Sequence, residues 1–241
     1  YAGYSNLYKL NNGVWERQNV EDLGIGDFRV VTIDPSNNNI IYISSSSELY
    51  KSTDKGINFE SIYNAPANIT SVDLHSTNSD IIYLTTQGTS GQTLKSIDGG
   101  NSFTNISLGL PSIAKNVIVH QGQNSNNPLF VGTSLGVYYR DDTMFRWEAY
   151  DTNLPNVSIS DLDINLEDKK ITAATYGRGV WQSSIVVEVP QNDVKLSEIL
   201  SPISTEISCT QNSVTPQIKI KNNGSNVINN VAINYAINTA N

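Results

Sequence analysis

Basic side chains are scarce in this 241-residue chain: 15 Lys and Arg stand against 23 Asp and Glu, for a formal net charge of −8. They cluster nowhere, so the electrostatic footprint of a phosphate-backbone binder is missing and nucleic acid drops out as a partner. Cysteine is nearly absent. Cys209 stands alone, which excludes an internal disulfide and leaves stability to packed cores. It reads most simply as a small buried hydrophobe. No apolar run reaches about 18 residues, so no membrane-spanning helix is expected. His75 and His120 are the two histidines, too few for a metal site without carboxylate help, and no His-x-x-x-His or Cys-rich spacing occurs. Glycine-rich phosphate loops and a Gly-x-Ser-x-Gly elbow are missing as well. Charged residues make up only 16% of the chain, and Asn, Ser, Thr, Gly and Tyr fill the deficit. Those are the residues of turns and strands. The sequence opens at Tyr1, inside a strand-like stretch, without a start methionine or signal segment. It is expected to be a piece of a longer secreted or cell-surface polypeptide, with the targeting signal elsewhere.

What is present is a repeat. Ser52-Thr53-Asp54-Lys55-Gly56-Ile57-Asn58-Phe59 fits Ser-x-Asp-x-Gly-x-x-aromatic, and Ser96-Ile97-Asp98-Gly99-Gly100-Asn101-Ser102-Phe103 fits it again. The two aspartates lie 44 residues apart. Upstream, Asn39-Ile40-Ile41-Tyr42-Ile43 matches Asp80-Ile81-Ile82-Tyr83-Leu84 at a spacing of 41, which suits a short insertion around Thr89-Ser90-Gly91. A worn third copy, residues 140–147, keeps Asp142 and Trp147 but loses the serine and the glycine. A period of this length with four short strands per unit predicts a β-propeller. Strands are expected at 29–34, 40–45, 49–52 and 59–63, then at 69–74, 81–86, 93–96 and 103–106, then at 116–120, 129–132, 136–140 and 147–150. Residues 1–19 supply the later strands of one further blade, and residues 159–185 the first three strands of another. The fold class is therefore all-β, with about four to five blades visible in residues 1–186.

The motif has a mechanical reading. Asp54 and Asp98 sit in the turn before the fourth strand, where a carboxylate can accept backbone N–H groups. Gly56 and Gly100 permit positive φ, and Phe59 and Phe103 return to pack beneath the turn. These positions are expected to form the fold rather than to catalyse.

The repeats resemble the Asp-box (BNR) repeats of sialidases, of sortilin/VPS10 propellers and of xyloglucanase-type glycoside hydrolases. Residues 173–181, Ala-Ala-Thr-Tyr-Gly-Arg-Gly-Val-Trp, resemble the Gly-Arg-Gly-hydrophobic-aromatic segment that closes VPS10- and xyloglucanase-like propellers. That resemblance implies a last blade near Trp181, its outer strand donated by a distant N-terminal part of the polypeptide. It makes Arg178 a turn residue or a ligand contact, and implies a carbohydrate or protein ligand in the channel. A sialidase would need an arginine triad, a Tyr–Glu pair and an acid aspartate. The sparse Arg and Glu here do not support that activity. A xyloglucanase would need two carboxylates in a cleft. Asp34, Asp73, Asp161 and Asp163 are the candidates, on or beside first strands that line a propeller channel. Asp34 and Asp163 are read as equivalent repeat positions, which favours a structural role. Arg178, Asp34 and Asp163 remain the expected channel-facing ligand contacts. No catalytic residue and no metal site is assigned, although acidic turns could take Ca2+ without matching a twelve-residue calcium loop.

Residues 187–192, with Pro190, read as a linker. In residues 193–241 the alternating stretch from Asp193 breaks at Pro202, and residues 214–235 read as strand, Asn-Gly turn, strand. That string resembles CARDB-like immunoglobulin-fold modules of bacterial surface proteins, here half a sandwich. The combination looks like large secreted Bacteroidetes proteins, many of which end in a type IX sorting domain. Two functions follow as expectations: a non-catalytic binding or scaffold propeller, joined to other domains of the same chain, or part of a glycoside hydrolase whose catalytic residues lie elsewhere.

Overall fold

The computed structural model of the chain describes residues 2–3, 6–18, 28–188, 193–201, 215–222 and 224–233. Pro190, Pro202, Cys209 and Tyr235 lie outside the described residues. The described residues form strands and no helix, in two compact units, Tyr1–Val187 and Glu188–Asn241.

The first unit runs β1 (Ala2–Gly3), β2 (Leu7–Asn11), β3 (Val14–Arg17), β4 (Phe28–Ile33), β5 (Ile41–Ser45), β6 (Glu48–Ser52), β7 (Glu60–Asn64), β8 (Ile69–Leu74), β9 (Ile82–Thr86), β10 (Thr93–Ser96), β11 (Thr104–Asn105), β12 (Lys115–His120), β13 (Leu129–Thr133), β14 (Gly136–Arg140), β15 (Glu148–Ala149), β16 (Ile159–Asn165), β17 (Lys170–Thr175) and β18 (Gly179–Ser184). They form five antiparallel sheets. The second, third and fourth blades are four-stranded, β4 to β7, β8 to β11 and β12 to β15, each in chain order. The first blade, β1 to β3, and the fifth, β16 to β18, have three strands. Strands β4, β8, β12 and β16 lie side by side as inner strands. This is an arc of a β-propeller.

The inner strands owe their pattern to a shared irregularity. A bulge falls between Phe28 and Val30, between Ile69 and Ser71, between Lys115 and Val117, and between Ile159 and Asp161. One extra residue resets the two-residue alternation. Ile69 and Val72 therefore both reach the core, as do Ile159 and Leu162. Second strands are covered on both sides by neighbouring blades. Ile82–Thr86 and Leu129–Thr133 are buried throughout, which explains their continuous apolar runs. Gly132 in β13 is where the fourth and fifth blades close up. A Cβ there would stand 2.6 Å from Val117 and 2.7 Å from Ile159.

The second unit contains β19 (Val194–Ser201) and β20 (Gln217–Asn222), paired antiparallel. Asn223 of the expected Asn-Gly turn lies outside the described residues, and among those described no strand follows it to pair with β20. β20 spends its pairing on β19, the Gly224 N–H donates to Asp193 O at 3.1 Å, and residues 227–233 are not strand.

Candidate functional site

The ladders set which inner-strand residues are equivalent. Thr32 lies opposite Tyr42, Asp73 opposite Tyr83, Val119 opposite Phe130 and Asp163 opposite Thr172. Asp163 is thus level with Asp73, not with Asp34 as the sequence suggested. Asp34 belongs two positions further on in the repeat, with His75 and Gln121, whose N–H groups bond Ile40, Ile81 and Pro128 carbonyls in turn. The fifth blade carries no Ser-x-Asp turn to set its register, so the sequence did not reveal this two-residue offset.

Asp34 is buried and committed to its own turn. Its Oδ1 accepts Ser36 N–H at 2.8 Å, Ser36 Oγ at 2.7 Å and Asn37 N–H at 3.0 Å. Burial works to raise its pKa, but the Ser79 and Ser36 hydroxyls and the turn amides more than offset that and leave it below the ordinary carboxylate value. His75 caps the corresponding turn, its Nδ1 accepting Thr77 N–H at 3.2 Å.

The two Ser-x-Asp turns are hydrogen-bonded alike. Ser52 Oγ donates to Asp54 Oδ1 at 2.8 Å and accepts Gly56 N–H at 2.8 Å, while Asp54 Oδ1 accepts the N–H groups of Ile57 and Asn58. Ser96 repeats this with Asp98 at 2.8 Å and Gly100 at 3.0 Å, and Asp98 Oδ1 accepts Ser102 N–H at 2.9 Å. Gly100 has φ +98°, and a Cβ there would stand 2.5 Å from Ile62 Cδ1. The Asn58 amides hold the Asp54 carboxyl down to about 2, and Ser102 does the same for Asp98. These carboxylates are spent on their turns.

The worn third turn uses a different residue. Asp141 accepts Thr143 N–H at 2.9 Å and Thr143 Oγ1 at 2.6 Å, and takes Tyr139 OH at 2.7 Å. Asp142, the position aligned with Asp54, instead faces the third blade. It lies 3.5 Å from Lys95 Nζ and accepts Asn127 Nδ2 at 2.7 Å. The Asp-Asp doublet concealed this exchange of roles. The returning aromatics divide the blades: Phe59 and Phe103 are half-buried, and Trp147 is buried with Nε1 donating to Ile106 O at 2.7 Å.

The seam between the third and fourth blades gathers the polar groups that no motif announced. Ser71 Oγ accepts Ile118 N–H at 3.2 Å, and Asp73 Oδ2 accepts His120 N–H at 2.6 Å. The His75 and His120 rings lie tilted with centroids 4.4 Å apart, and Tyr83 stacks on His120 at 5.6 Å. His75 Nε2 bonds Asn127 Oδ1 at 2.9 Å, while its Nδ1 accepts Thr77 N–H. Both His120 ring nitrogens and the Tyr83 hydroxyl are buried without a hydrogen-bond partner. Burial pushes Asp73 up to about 6, against the His120 and Leu74 amides that work to lower it. Burial first, then the neighbouring His75, pulls His120 down to about 4.

The remaining expected ligand contacts do not converge. Asp161 and Asp163 are exposed on β16, and Arg178 is exposed in the β17–β18 turn at the opposite end of the ladder from Asp34. The Arg178 carbonyl accepts Trp181 Nε1 at 3.0 Å, a turn contact. Among the described residues no three His, Cys, Asp or Glu side chains come together as a metal site.

No protein-family description and no curated protein matches the sequence. Solved structures do resemble the fold. A GH74 xyloglucanase from Xanthomonas campestris aligns with a TM-score of 0.57 at 15% identity, over 76% of this chain and 33% of that one. YCF48 from Cyanidioschyzon merolae aligns with 0.55 at 15%, over 75% and 63%. A chain of a nidogen/laminin complex aligns with 0.58 at 11%, over 75% and 67%. The chain spans about a third of the length of the xyloglucanase. Likeness at these identities extends to the propeller fold and no further.

Proposed function

We propose that this propeller is a non-catalytic binding or scaffold module of a large secreted or cell-surface bacterial protein, built from Asp-box repeats and followed by a CARDB-like immunoglobulin-fold module. The fate of the carboxylates carries this reading. Asp54 and Asp98 are consumed by turns, Asp34 is held to its turn through Oδ1, and Asp73 is held by the backbone of the next blade. Only Asp161 and Asp163 among the candidates are exposed. They stand two residues apart on one strand and so project from the same face. A glycosidase needs its two carboxyls on opposite sides of the scissile bond. By ladder position Asp161 and Asp163 match Ser71 and Asp73, the residues that grip the neighbouring inner strand. Their positions suit docking of a blade better than chemistry. A protein partner accords with the reading, since one structurally similar chain comes from a nidogen/laminin complex.

The test is to incubate the chain with a panel of β-glucans and sialosides and to follow reducing-end release. No turnover is expected. Turnover that disappears in Asp161→Asn or Asp163→Asn would overturn the proposal in favour of a glycoside hydrolase.

A further inference from the structure

Each seam between blades has a corner where β2, β6, β10 or β14 meets the start of the next inner strand. The first member of the corner is the residue on which the outermost strand closes. Gln18 N–H donates to Leu7 O, Tyr63 lies opposite Leu49, Ile106 N–H donates to Thr93 O, and Tyr150 N–H donates to Val137 O. The second member is the residue before the shared bulge: Phe28, Ile69, Lys115 or Ile159. Three of these corners are apolar. Leu7 shares a cluster with Phe28, Leu49 with Ile69, and Val137 with Ile159. The third–fourth corner instead brings together Thr93 and Lys115.

Both polar residues are buried, Thr93 fully and Lys115 to within 3%. The Thr93 hydroxyl has no hydrogen-bond partner. Lys115 Nζ has one, the Thr89 carbonyl at 3.4 Å. Among the described residues no carboxylate lies within ion-pair reach of it, and burial pulls its pKa below the ordinary lysine value. A desolvated ammonium calls for an anion or a full set of acceptors. The nearest hydroxyls are already spent: Thr70 Oγ1 donates to Lys115 O at 2.9 Å and bonds Thr85 Oγ1 at 2.8 Å. At the fourth–fifth seam, by contrast, polar side chains are paired. Asn116 Nδ2 donates to Ile159 O at 2.8 Å, and the Val186 carbonyl is gripped by Gln121 Nε2 and by Asn124 Nδ2, the latter at 3.1 Å.

The cover over the Lys115 corner is also peculiar to the third blade. β5 and β13 turn into their next strands through two residues, Ser46-Ser47 and Ser134-Leu135. The turn from β9 to β10 is longer, and its residues 87–90 are exposed. Gly88 has φ +95° and open space about its α-carbon. Residues 88–90 are held by Gly91 N–H on Gly88 O at 3.0 Å, inside the turn, and by the long Lys115 contact.

We infer that Lys115 and Thr93 form the floor of an anion site, with the Gly88–Gly91 turn as its lid. Its ligand is a small carboxylate, which takes the Lys115 ammonium from the Thr89 carbonyl and accepts the Thr93 O–H. One cation and one hydroxyl match one carboxylate, whereas a phosphate dianion would lack a second cation. The chain carries a net charge of −8, so affinity for an anion has to be local. The site is separate from Asp161 and Asp163, and the inference stands whether or not those residues bind or catalyse.

The probe is sodium acetate, titrated into the isotope-labelled full chain at an ionic strength held constant with NaCl, with acetamide as the neutral isostere. The amide resonances of Gly88–Gly91 and Thr93 are expected to shift saturably with acetate and to ignore acetamide. Lys115→Met keeps the stem, removes the charge and should weaken acetate about tenfold or more. Should that variant fail to fold, Thr93→Val decides. Valine fills the same corner in the fourth blade, and the loss of the hydroxyl should weaken acetate about fivefold or more. No saturable shift, an equal response to acetamide, unchanged affinity in either folded variant, or saturation by inorganic phosphate but not by acetate overturns the inference.

Discussion

The His120 N–H donates to Asp73 Oδ2 at 2.6 Å, across the seam between the third and fourth blades. An inner strand is laddered on one side only, so alternate N–H groups on its other side need acceptors. Ser71 and Asp73 supply them to Ile118 and His120. The arrangement draws one carboxyl and one imidazole out of water together, with opposite consequences for their protonation.

For Asp73 the folded pKa, about 6, lies above the ordinary 3.8. Its contribution to stability is fully present below about pH 4 and is lost as pH rises through 6. Asp73→Asn keeps an oxygen for the His120 N–H and removes the ionisation. Relative to the parent chain the variant should gain about 2 kcal/mol between pH 4 and pH 7.5. Urea unfolding at both pH values checks this.

For His120 the folded pKa, about 4, lies below the ordinary 6.5. Its contribution is present above about pH 6.5 and is lost as pH falls through 4. The two slopes oppose each other, so this seam should leave the parent nearly level between pH 4 and 6.5. His120→Phe keeps a ring between His75 and Tyr83 and leaves the Asp73 slope alone. The variant should lose about 2 kcal/mol from pH 4 to pH 6.5, where the parent changes by less than about 1. A level profile in both proteins would refute the assignment.

Ser52 and Gly100 test the turns. Ser52 is buried, and its hydroxyl is the partner of the Gly56 N–H. Ser52→Ala should cost about 1–3 kcal/mol by leaving that N–H unpaired. Gly100→Ala places a side chain at φ +98° against Ile62 and should cost a similar amount through strain. Thermal melts of both variants at pH 7 measure the losses. Because Asp54 titrates near 2, below the ordinary 3.8, its contribution should be intact above about pH 4 and be lost as pH falls through 2.

Asp141 and Asp142 exchange importance relative to the sequence motif. Asp141→Ala removes three hydrogen bonds that hold the third turn, and about 1–2 kcal/mol with them. Asp142→Ala removes an exposed ion pair with Lys95 and one bond from Asn127, and should cost less than about 1 kcal/mol. The reverse order would restore Asp142 as the turn former.

These contrasts mark what could be read from residue order alone. The Ser52 and Ser96 turns were legible because every bond in them spans two to four residues. The strands of the second, third and fourth blades followed from turn residues between short apolar runs, and their starts and ends fall within a residue or two of the expected ones. The seam was not legible. Asp73 and His120 meet across 47 residues. No local pattern distinguishes an aspartate that faces a neighbouring strand from one that faces a channel. Asp163 was misplaced because the fifth blade carries no Ser-x-Asp turn to set its register. Arg178 drew attention as the arginine of a Gly-Arg-Gly segment, yet it is the backbone there that makes the recorded contact.

The grip of Gln121 and Asn124 on the Val186 carbonyl has a mechanical consequence. Tension arriving from the C-terminal unit reaches this clamp before it reaches β18. Peeling an edge strand breaks its ladder one rung at a time, whereas the clamp and buried Ile185 must give way together. A pull on the tail is thereby shared with the fourth blade, and the fifth is shielded from unzipping.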